Sequence, residues 1–267
     1  MSADAIDWRN PRVVSAVKLH RAPQRRKTGR FLAEGANSVE AALDTERVEE
    51  LFYSARAAER EHALVASAAA LGVRTTQVSE RAAEMLGETV TPPGLVAVCR
   101  TVDVPLQRVL DGRPRTLAVP VEIADPGNAG TLIRVADAVG ADAVVLAGDS
   151  VDPHNGKCVR ACAGSLFHVP VARERDVDVV LAALREAGVA VLATTARGEV
   201  DLDDADEILA GPVAWLFGNE AHGLDPEIAR RADHRIRIPI HGRAESLNLA
   251  AAAAICLYAG ARVQHRE

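Results

Sequence analysis

The sequence predicts an α/β protein of two domains, the larger of which is a parallel sheet covered by helices on both faces. The chain has 267 residues, more than one domain usually contains. Beyond residue 115, apolar segments of strand length alternate with helical segments, a pattern typical of a buried parallel sheet. Residues 105–115 hold two prolines, a glycine and three arginines, and this composition predicts a linker between the domains.

Residues 1–104 are predicted to form the first domain, a small α/β unit. A helix is expected near Gly35, within the segment 29–43, because apolar residues recur there at helical spacing. A second, alanine-rich helix is expected from Ala57 to Leu71, with Gly72 as its C-cap. The predicted strands are residues 48–54, 73–79 and 94–100.

Residues 116–267 are predicted to form the second domain, in which each strand is followed by a helical segment. The predicted strands are residues 116–123, 143–148, 168–171, 189–195, 212–218 and 234–240. Sheets of this class bind ligands in the crevice beyond the carboxyl ends of their strands. We therefore expect the functional residues in the loops that follow the strands.

The net charge and the local distribution of charge give opposite indications about binding to nucleic acid. The chain has 31 basic and 37 acidic residues, a net charge of −6, which argues against a nucleic acid held by overall charge. Residues 8–30, however, carry eight basic residues and no acidic one. This basic arm predicts contacts with RNA phosphates. Aromatic residues make up only 3%, so RNA contacts should depend on arginine rather than on base stacking.

The composition also excludes several protein classes. A chain that is 48% hydrophobic and 25% charged is typical of a globular protein and not of a disordered or fibrous one. No uncharged apolar run is long enough for a membrane span, and no signal peptide is evident. We therefore expect a soluble, cytoplasmic protein. The four cysteines lack the paired spacing of a zinc site, so reduced thiols and no metal are predicted.

Three loops of the second domain carry residues suited to chemistry. The first, DPGNAGTLIR (125–134), offers Asn128 as a helix cap and Arg134 nearly two helical turns later. The second, GNEAHGL (218–224), places Glu220 between two glycines at the end of a strand. In the third, Ser246 or Asn248 opens a long alanine-rich helix. Each loop alone also fits an ordinary turn. None has the glycine pattern of a dinucleotide site or the lysine of a P-loop.

Together, and in this order, the three loops resemble the motifs of the SpoU branch of the SPOUT methyltransferases. The matching residues of the first motif are Asn128, Gly130 and Arg134, those of the second are Gly218, Asn219, Glu220 and Gly223, and those of the third are Ile238, Pro239, Ser246, Leu247 and Asn248. The resemblance covers about residues 116–267. The segment 29–43 is similar to the ribosomal-protein-like RNA-binding domain that precedes the catalytic domain in this family.

The resemblance implies methyl transfer from S-adenosylmethionine to a ribose 2′-hydroxyl of RNA. It also implies a C-terminal trefoil knot in the sheet domain. The implied assembly is a homodimer built on the helix 246–262 and the first-motif helix. The implied catalytic residues are Asn128, Arg134, Glu220, Ser246 and Asn248. The implied cofactor contacts are Thr194, Thr195, Leu216, Gly218, Asn219, Gly223, Ile238, Ile240 and Leu247. The expected RNA contacts are Arg25, Arg26, Lys27, Arg30 and, from a further segment similar to the family, Arg160.

The predicted substrate is 23S ribosomal RNA, because the appended domain suggests a structured ribosomal target. A tRNA ribose methyltransferase is the first alternative. A non-catalytic RNA-binding ribosome-assembly factor of the same fold is the second, although the intact motif residues count against it. A dinucleotide-dependent oxidoreductase is disfavoured because its glycine fingerprint is absent.

Overall fold

The computed structural model describes residues 5–89 and 91–265. The strands are β1 (Arg30–Glu34), β2 (Val48–Tyr53), β3 (Arg74–Gln77), β4 (Leu95–Arg100), β5 (Thr116–Pro120), β6 (Ala143–Ala147), β7 (Val171–Glu174), β8 (Ala190–Thr194), β9 (Val200–Asp201), β10 (Val213–Phe217) and β11 (His234–Arg237). The α-helices are α1 (Pro11–Val17), α2 (Ala22–Thr28), α3 (Ala36–Asp44), α4 (Ala55–Arg60), α5 (His62–Ala70), α6 (Glu80–Leu86), α7 (Leu106–Asp111), α8 (Pro126–Ala138), α9 (Gly156–Cys162), α10 (Val177–Glu186), α11 (Asp206–Leu209), α12 (Pro226–Arg230) and α13 (Leu249–Gln264).

These elements divide into two compact units. Among the described residues, the first unit comprises those up to Val102 together with Asp152–His168, and the second comprises Asp103–Val151 together with those from Val169 onward. The predicted boundaries assigned residues 152–168 to the second domain. The structure groups them with the first unit because α9 packs against β1 and because Phe167 stacks on Phe31 of that strand, with ring centroids 5.8 Å apart.

The first unit is built on a four-stranded mixed sheet. The strand order is β1-β4-β2-β3, with β4 antiparallel to both of its neighbours and β2 parallel to β3. One core of this unit joins Val13 and Leu19 from the N-terminal region to Phe52 of the sheet and Leu86 of α6. The basic arm is therefore folded onto the unit by its apolar residues.

The second unit is a seven-stranded sheet in the order β7-β6-β5-β10-β8-β11-β9, and the paired strands are parallel. Every residue of β5, β6 and β10 is buried. Such continuous burial is expected for a parallel sheet covered on both faces. The prediction of an α/β fold with a parallel sheet after a smaller α/β domain is confirmed.

Several local predictions differ from the structure. Residues 105–115, the predicted linker, contain α7, and Val109 and Leu110 of this helix are buried in the core of the second unit. The helix expected from Ala57 to Leu71 is split into α4 and α5, with Glu61 between them. The strand expected to reach residue 240 ends at Arg237, shortly before Pro239, which cannot donate a ladder hydrogen bond.

All four cysteines lie within the described ranges, are buried and form no disulfide there. Burial raises the pKa of the Cys256 thiol to about 12 and raises that of Cys99 further, so both are poor nucleophiles. The helices formed by residues 5–89 and 91–265 include none with the length and hydropathy needed to cross a membrane.

Candidate active site

The three motif loops meet at the carboxyl edge of the second sheet. Strand β10 lies between β5 and β8, and β8 in turn pairs with β11. The loops that follow β5, β8, β10 and β11 are therefore neighbours, which is where a parallel sheet places a ligand site. Each of the first two motifs begins shortly after a fully buried strand.

The first motif begins α8, and its cap differs from the prediction. Asp125, not Asn128, is the N-cap residue, and its carboxylate accepts a hydrogen bond of 2.9 Å from the backbone N–H of Asn128. Pro126 occupies the first turn, where the missing N–H has no consequence. Because Asp125 satisfies the helix end, the side-chain amide of Asn128 remains available for other partners.

The second motif is a tight turn closed by Asn219 and Gly223. Their backbones exchange two hydrogen bonds of 2.8 and 2.9 Å, and Gly223 has a positive φ of 73°, which suits glycine. A Cβ at Gly218 would lie 2.0 Å from the backbone nitrogen of Leu224. Any larger residue at position 218 would therefore push the turn away from the end of β10.

Glu220 projects from this turn towards three donors of the first motif. Its carboxylate accepts hydrogen bonds of 3.1 Å from the backbone N–H groups of Ala124 and Asp125, and another of 3.1 Å from Nδ2 of Asn128. Partial burial opposes ionisation, but these hydrogen bonds outweigh it and lower the pKa of the Glu220 carboxyl. Glu220 is therefore an ionised acceptor that holds the first motif in place.

The third motif joins the same network through Asn248. This residue is the N-cap of α13, and its Oδ1 accepts from the backbone N–H of Ala250 at 2.9 Å. Its Nδ2 donates to Oδ1 of Asn128 at 3.2 Å. A chain of hydrogen bonds thus runs from Glu220 through Asn128 to Asn248 and connects all three motifs. The helix begins at Leu249, so Ser246 lies in the exposed loop before it.

Arg134 lies on the exposed side of α8, two turns after the motif begins. Its guanidinium has no ion pair or hydrogen bond to any residue in the described ranges. An exposed cation without a protein partner is suited to an anionic ligand such as a phosphate.

The predicted cofactor contacts lie at the same edge of the sheet. Thr194 Oγ1 donates to the backbone carbonyl of Leu216 at 2.8 Å, which links the ends of β8 and β10. The backbone N–H of Thr195 donates to the carbonyl of Ile236 in β11 at 3.0 Å. Ile240 and Leu247 expose apolar side chains in the loop that follows. The structure brings the ends of these strands together, and the role of the residues stays a prediction.

Asn219 has a further contact that sequence reasoning missed. Its Nδ2 donates to the backbone carbonyl of Glu122 at 2.7 Å, and its Oδ1 accepts from the N–H of Ala221 at 2.8 Å. Glu122 is a non-glycine residue with a positive φ of 54°. No sequence signal marks this conformation, because glutamate has no preference for it.

The residues predicted to contact RNA are in different environments in the first unit. Arg26 and Lys27 are exposed. Arg30 pairs with Glu49 at 2.6 Å. Arg160 pairs with Glu34 and with Glu88, at 3.2 and 3.3 Å.

For Arg25 the structure corrects the prediction. The residue is only 4% exposed; its guanidinium pairs with Asp152 at 2.8 Å and donates to the carbonyls of Leu19 and His20. With these donors used inside the unit, Arg25 is placed to stabilise the unit, and its geometry gives no support to the predicted RNA contact. The neighbouring His154 accepts a hydrogen bond from the backbone of Val102.

Arginines near the end of the second sheet are also engaged by acidic residues. Arg235 pairs with Glu199 at 2.8 Å, and Arg237 forms an ion pair with Asp201. These pairs balance the charges on this part of the surface.

Comparison with known protein families matches both parts of the chain. The profile of the SpoU rRNA Methylase family matches residues 115–258. The profile of the MRM3-like substrate binding domain matches residues 10–97.

Two curated relatives align along most of the chain. This chain is 36% identical over 251 residues to the 23S rRNA (guanosine(2553)-2′-O)-methyltransferase RlmP of Bacillus subtilis strain 168. The alignment covers 94% of this chain and 96% of that protein. The chain is 32% identical to the 23S rRNA (uridine(2479)-2′-O)-methyltransferase of Streptomyces viridochromogenes, covering 90% of this chain and 85% of that protein.

Among solved structures, the AdoMet-bound rRNA methyltransferase from Sinorhizobium meliloti has the same fold along nearly the whole chain. The superposition has a TM-score of 0.83 with 35% sequence identity and covers 95% of both chains.

Proposed function

This chain belongs to the SpoU rRNA methylase family, and on that premise we propose that it transfers the methyl group of S-adenosylmethionine to a ribose 2′-hydroxyl of 23S ribosomal RNA. The observation that carries the proposal is the hydrogen-bonded chain from Glu220 through Asn128 to Asn248. It joins the three motifs, and Arg134, on the same helix as Asn128, has no partner within the described ranges. The relatives named as 23S rRNA 2′-O-methyltransferases support the choice of RNA.

The chain offers a suitable setting for the cofactor. Three adjacent strand ends present backbone groups, linked by the Thr194 contact to Leu216, and Gly218 leaves no space for a side chain beside the turn. The residues that would hold the cofactor are Thr194, Thr195, Leu216, Gly218, Asn219, Gly223, Ile238, Ile240 and Leu247. When bound, S-adenosylmethionine supplies an electrophilic methyl group.

Arg134 would act on the RNA rather than as a base. A guanidinium stays protonated under physiological conditions and has no acceptor site. Placed against the phosphate beside the target ribose, its charge would stabilise the oxyanion that develops at the 2′-oxygen. The proton of the hydroxyl would leave to a phosphate oxygen or to water, and the 2′-oxygen would accept the methyl group as its bond to sulfur breaks and S-adenosylhomocysteine leaves as a neutral thioether. Ser246 and the network of Asn128, Glu220 and Asn248 would position Arg134 and the ribose.

The first unit would dock the RNA through exposed cations. Lys18, Arg21, Arg26 and Lys27 are all exposed and have no acidic partner among the described residues. Positive side chains of this kind bind phosphates without reading sequence. An enzyme that modifies ribosomal RNA in this way would work in the cytoplasm.

We also propose that the chain acts as a homodimer through α13. Ala251, Ile255, Tyr258 and Arg262 are exposed and follow one another at helical spacing. Ile255 is 41% and Tyr258 65% exposed, so one side of the helix presents two neighbouring large apolar side chains, a feature of interaction surfaces. A second copy of this stripe would cover them.

The direct test is transfer of radiolabelled methyl groups from S-adenosylmethionine to 23S rRNA and, separately, to tRNA. We expect incorporation into 23S rRNA as 2′-O-methylribose. Arg134→Ala should lower the rate on the order of a hundredfold while cofactor affinity stays within about twofold, because one electrostatic contact to the developing charge is typically worth this much. Arg108→Ala, which removes an exposed arginine from α7, is the matched control and should behave like the wild type.

The alternatives predict different results. Incorporation into tRNA alone would assign the chain to tRNA modification. Binding of RNA and cofactor without any incorporation would favour a non-catalytic assembly factor and would contradict the proposed activity.

A further inference from the structure

Glu122 has a backbone conformation that its residue type disfavours, and it lies between the first two motifs. Its φ is 54°, in the left-handed region where a side chain crowds its own backbone. Strained backbone of this kind persists when surrounding contacts enforce it, and it is concentrated at functional sites. Glu122 follows β5 by two residues and precedes the Asp125 cap by three.

The contacts of Glu122 explain how the conformation is held. Its N–H donates to the carbonyl of Ala147 at 2.9 Å, and its carbonyl accepts from Asn219 Nδ2 at 2.7 Å. Its side chain lies over Gly148, where a Cβ would approach the Cγ of Glu122 to 2.7 Å. The residue is therefore anchored to the end of β6 on one side and to the second motif on the other.

The left-handed turn at Glu122 determines which groups face the second motif. The carbonyl of Glu122 faces Asn219, and the N–H groups of Ala124 and Asp125 face the carboxylate of Glu220. If residue 122 were extended, the chain after it would take a different direction and these three hydrogen bonds could not form together. The conformation of one residue thus aligns the first motif with the second.

We infer that Glu122 is a positioning residue whose left-handed backbone, rather than its carboxylate, fixes the Gly218–Gly223 turn for methyl transfer. This inference rests on the proposed function for its role in catalysis. The alignment of the turn is independent of that function and can be measured without RNA.

The test compares substitutions that differ in their tolerance of a positive φ. Glycine adopts this conformation freely, and the β-branched valine resists it. Glu122→Val should accelerate hydrogen exchange of the Ala221 and Gly223 amides at least tenfold and lower kcat/KM for methyl transfer at least tenfold. Glu122→Gly should restore both to within about threefold of the wild type. Glu122→Gln, which removes the charge but not the conformation, should resemble Glu122→Gly in activity.

Arg113 provides a matched control at the opposite end of β5. It also has a positive φ, of 53°, and its N–H is bonded to Leu110 in a helix-ending turn. Arg113→Val should lower the melting temperature without changing the exchange of the Ala221 and Gly223 amides. Because Asn219 makes one of the three contacts that Glu122 aligns, the effect of Glu122→Val on amide exchange should be smaller in an Asn219→Ala background.

Two results would overturn the inference. In the first, Glu122→Val would melt at a lower temperature like Arg113→Val and leave amide exchange in the turn unchanged. In the second, Glu122→Gln would lose activity as severely as Glu122→Val, which would assign the role to the carboxylate. A wild-type chain that transfers no methyl group, but whose turn responds to these variants as expected, would contradict the proposed function and support the alignment.

Discussion

The side-chain amide of Asn128 has its orientation fixed by its two partners. Glu220 is ionised and can only accept hydrogen bonds, so Asn128 must direct its Nδ2 towards it. The remaining Oδ1 can then only accept, and Asn248 supplies the donor. The same Asn248 uses its own Oδ1 to cap α13. The order of donors and acceptors in this chain therefore permits a single arrangement of both amides.

Replacing Glu220 should disrupt the chain of hydrogen bonds from Glu220 to Asn248 at its first acceptor. In Glu220→Gln, an amide nitrogen replaces one of the two oxygens that now face three N–H donors, so at least one donor loses its acceptor. An unsatisfied polar group of this kind costs about 1–3 kcal/mol when buried, and the site is only partly buried. We expect kcat/KM for methyl transfer to fall on the order of tenfold at neutral pH.

The pH dependence of stability gives a second readout for the same variant. Because the pKa of Glu220 is lowered in the folded protein, its contribution to the free energy of unfolding is complete above the unfolded pKa of about 4.3 and is lost as the pH falls through the folded pKa. The stability difference between the wild type and Glu220→Gln should therefore shrink below about pH 4.3. Chemical denaturation from pH 7 to pH 3 measures it, with Glu227→Gln on α12 as an exposed control. A constant difference would contradict the assigned hydrogen bonds.

Helix α2 separates two roles that the sequence does not distinguish. Arg25, Arg26 and Lys27 are consecutive and equally basic, so the sequence predicted RNA contacts for all three. In the folded helix they point in different directions: Arg25 is buried against Asp152, and its two neighbours are exposed. The partner of Arg25 is 127 residues away in the chain, and no local pattern indicates it.

The two kinds of residue should respond differently to substitution. Arg26→Ala with Lys27→Ala should weaken RNA binding and reduce the slope of log affinity against log salt by about 0.7–0.9 for each phosphate that the variant no longer binds. The melting temperature should stay within about two degrees of the wild type. Arg25→Ala should instead lower the melting temperature, because it leaves the Asp152 carboxylate in a partly buried site without its cation. Filter binding at several salt concentrations and calorimetry measure the two effects. An unchanged salt slope in the double variant would remove these residues from the RNA surface.

The exposed stripe on α13 makes a prediction about assembly. Tyr258→Glu places a charge in the middle of the proposed interface, where desolvation without a partner is unfavourable. Sedimentation should then show a monomer where the wild type is a dimer. Val179→Glu on α10 substitutes an apolar residue that is 47% exposed and should leave the assembly unchanged. A wild-type chain that sediments as a monomer at all concentrations would contradict the proposed dimer.

At the scale of the whole molecule, the sheet was predictable because burial on both faces leaves a continuous apolar run in each central strand. Strands β5, β6 and β10 all lie within segments predicted from such runs. The motif loops were predictable because they follow those runs closely. The N-cap at Asp125 is local, because its carboxylate accepts from the N–H of Asn128 three residues later. The conformation of Glu122 was not predictable, because it depends on a contact with a loop nearly a hundred residues later. A trefoil knot is also a property of the whole chain, and it stays a prediction.

The division of the chain into units depends on a segment that is remote in sequence. Residues 152–168 follow β6 in the sequence but belong to the first compact unit. Phe167 and His154 pack on Phe31, and Asp152 neutralises the buried Arg25. Burial opposes ionisation of Asp152, but hydrogen bonds from His154 and Arg25, with the charge of Arg25, lower the pKa of its carboxyl well below the usual range. The first unit is therefore completed by a segment inserted in the sequence of the second.

A fragment that ends at Val102 should consequently be much less stable than the same residues in the full chain. It would expose Phe31 and leave Arg25, now 4% exposed, without a carboxylate, and an unpaired buried charge alone costs about 3–5 kcal/mol. That loss is a large part of the stability of a domain of about a hundred residues. We expect the fragment 1–102 to show a broad, early thermal transition by circular dichroism. The same fragment with residues 152–168 attached through a flexible linker should recover a cooperative one, and Asp152→Asn in that linked fragment should partly reverse the recovery. If the fragment without the segment melted as cooperatively as the linked one, residues 152–168 would not be part of the folding unit.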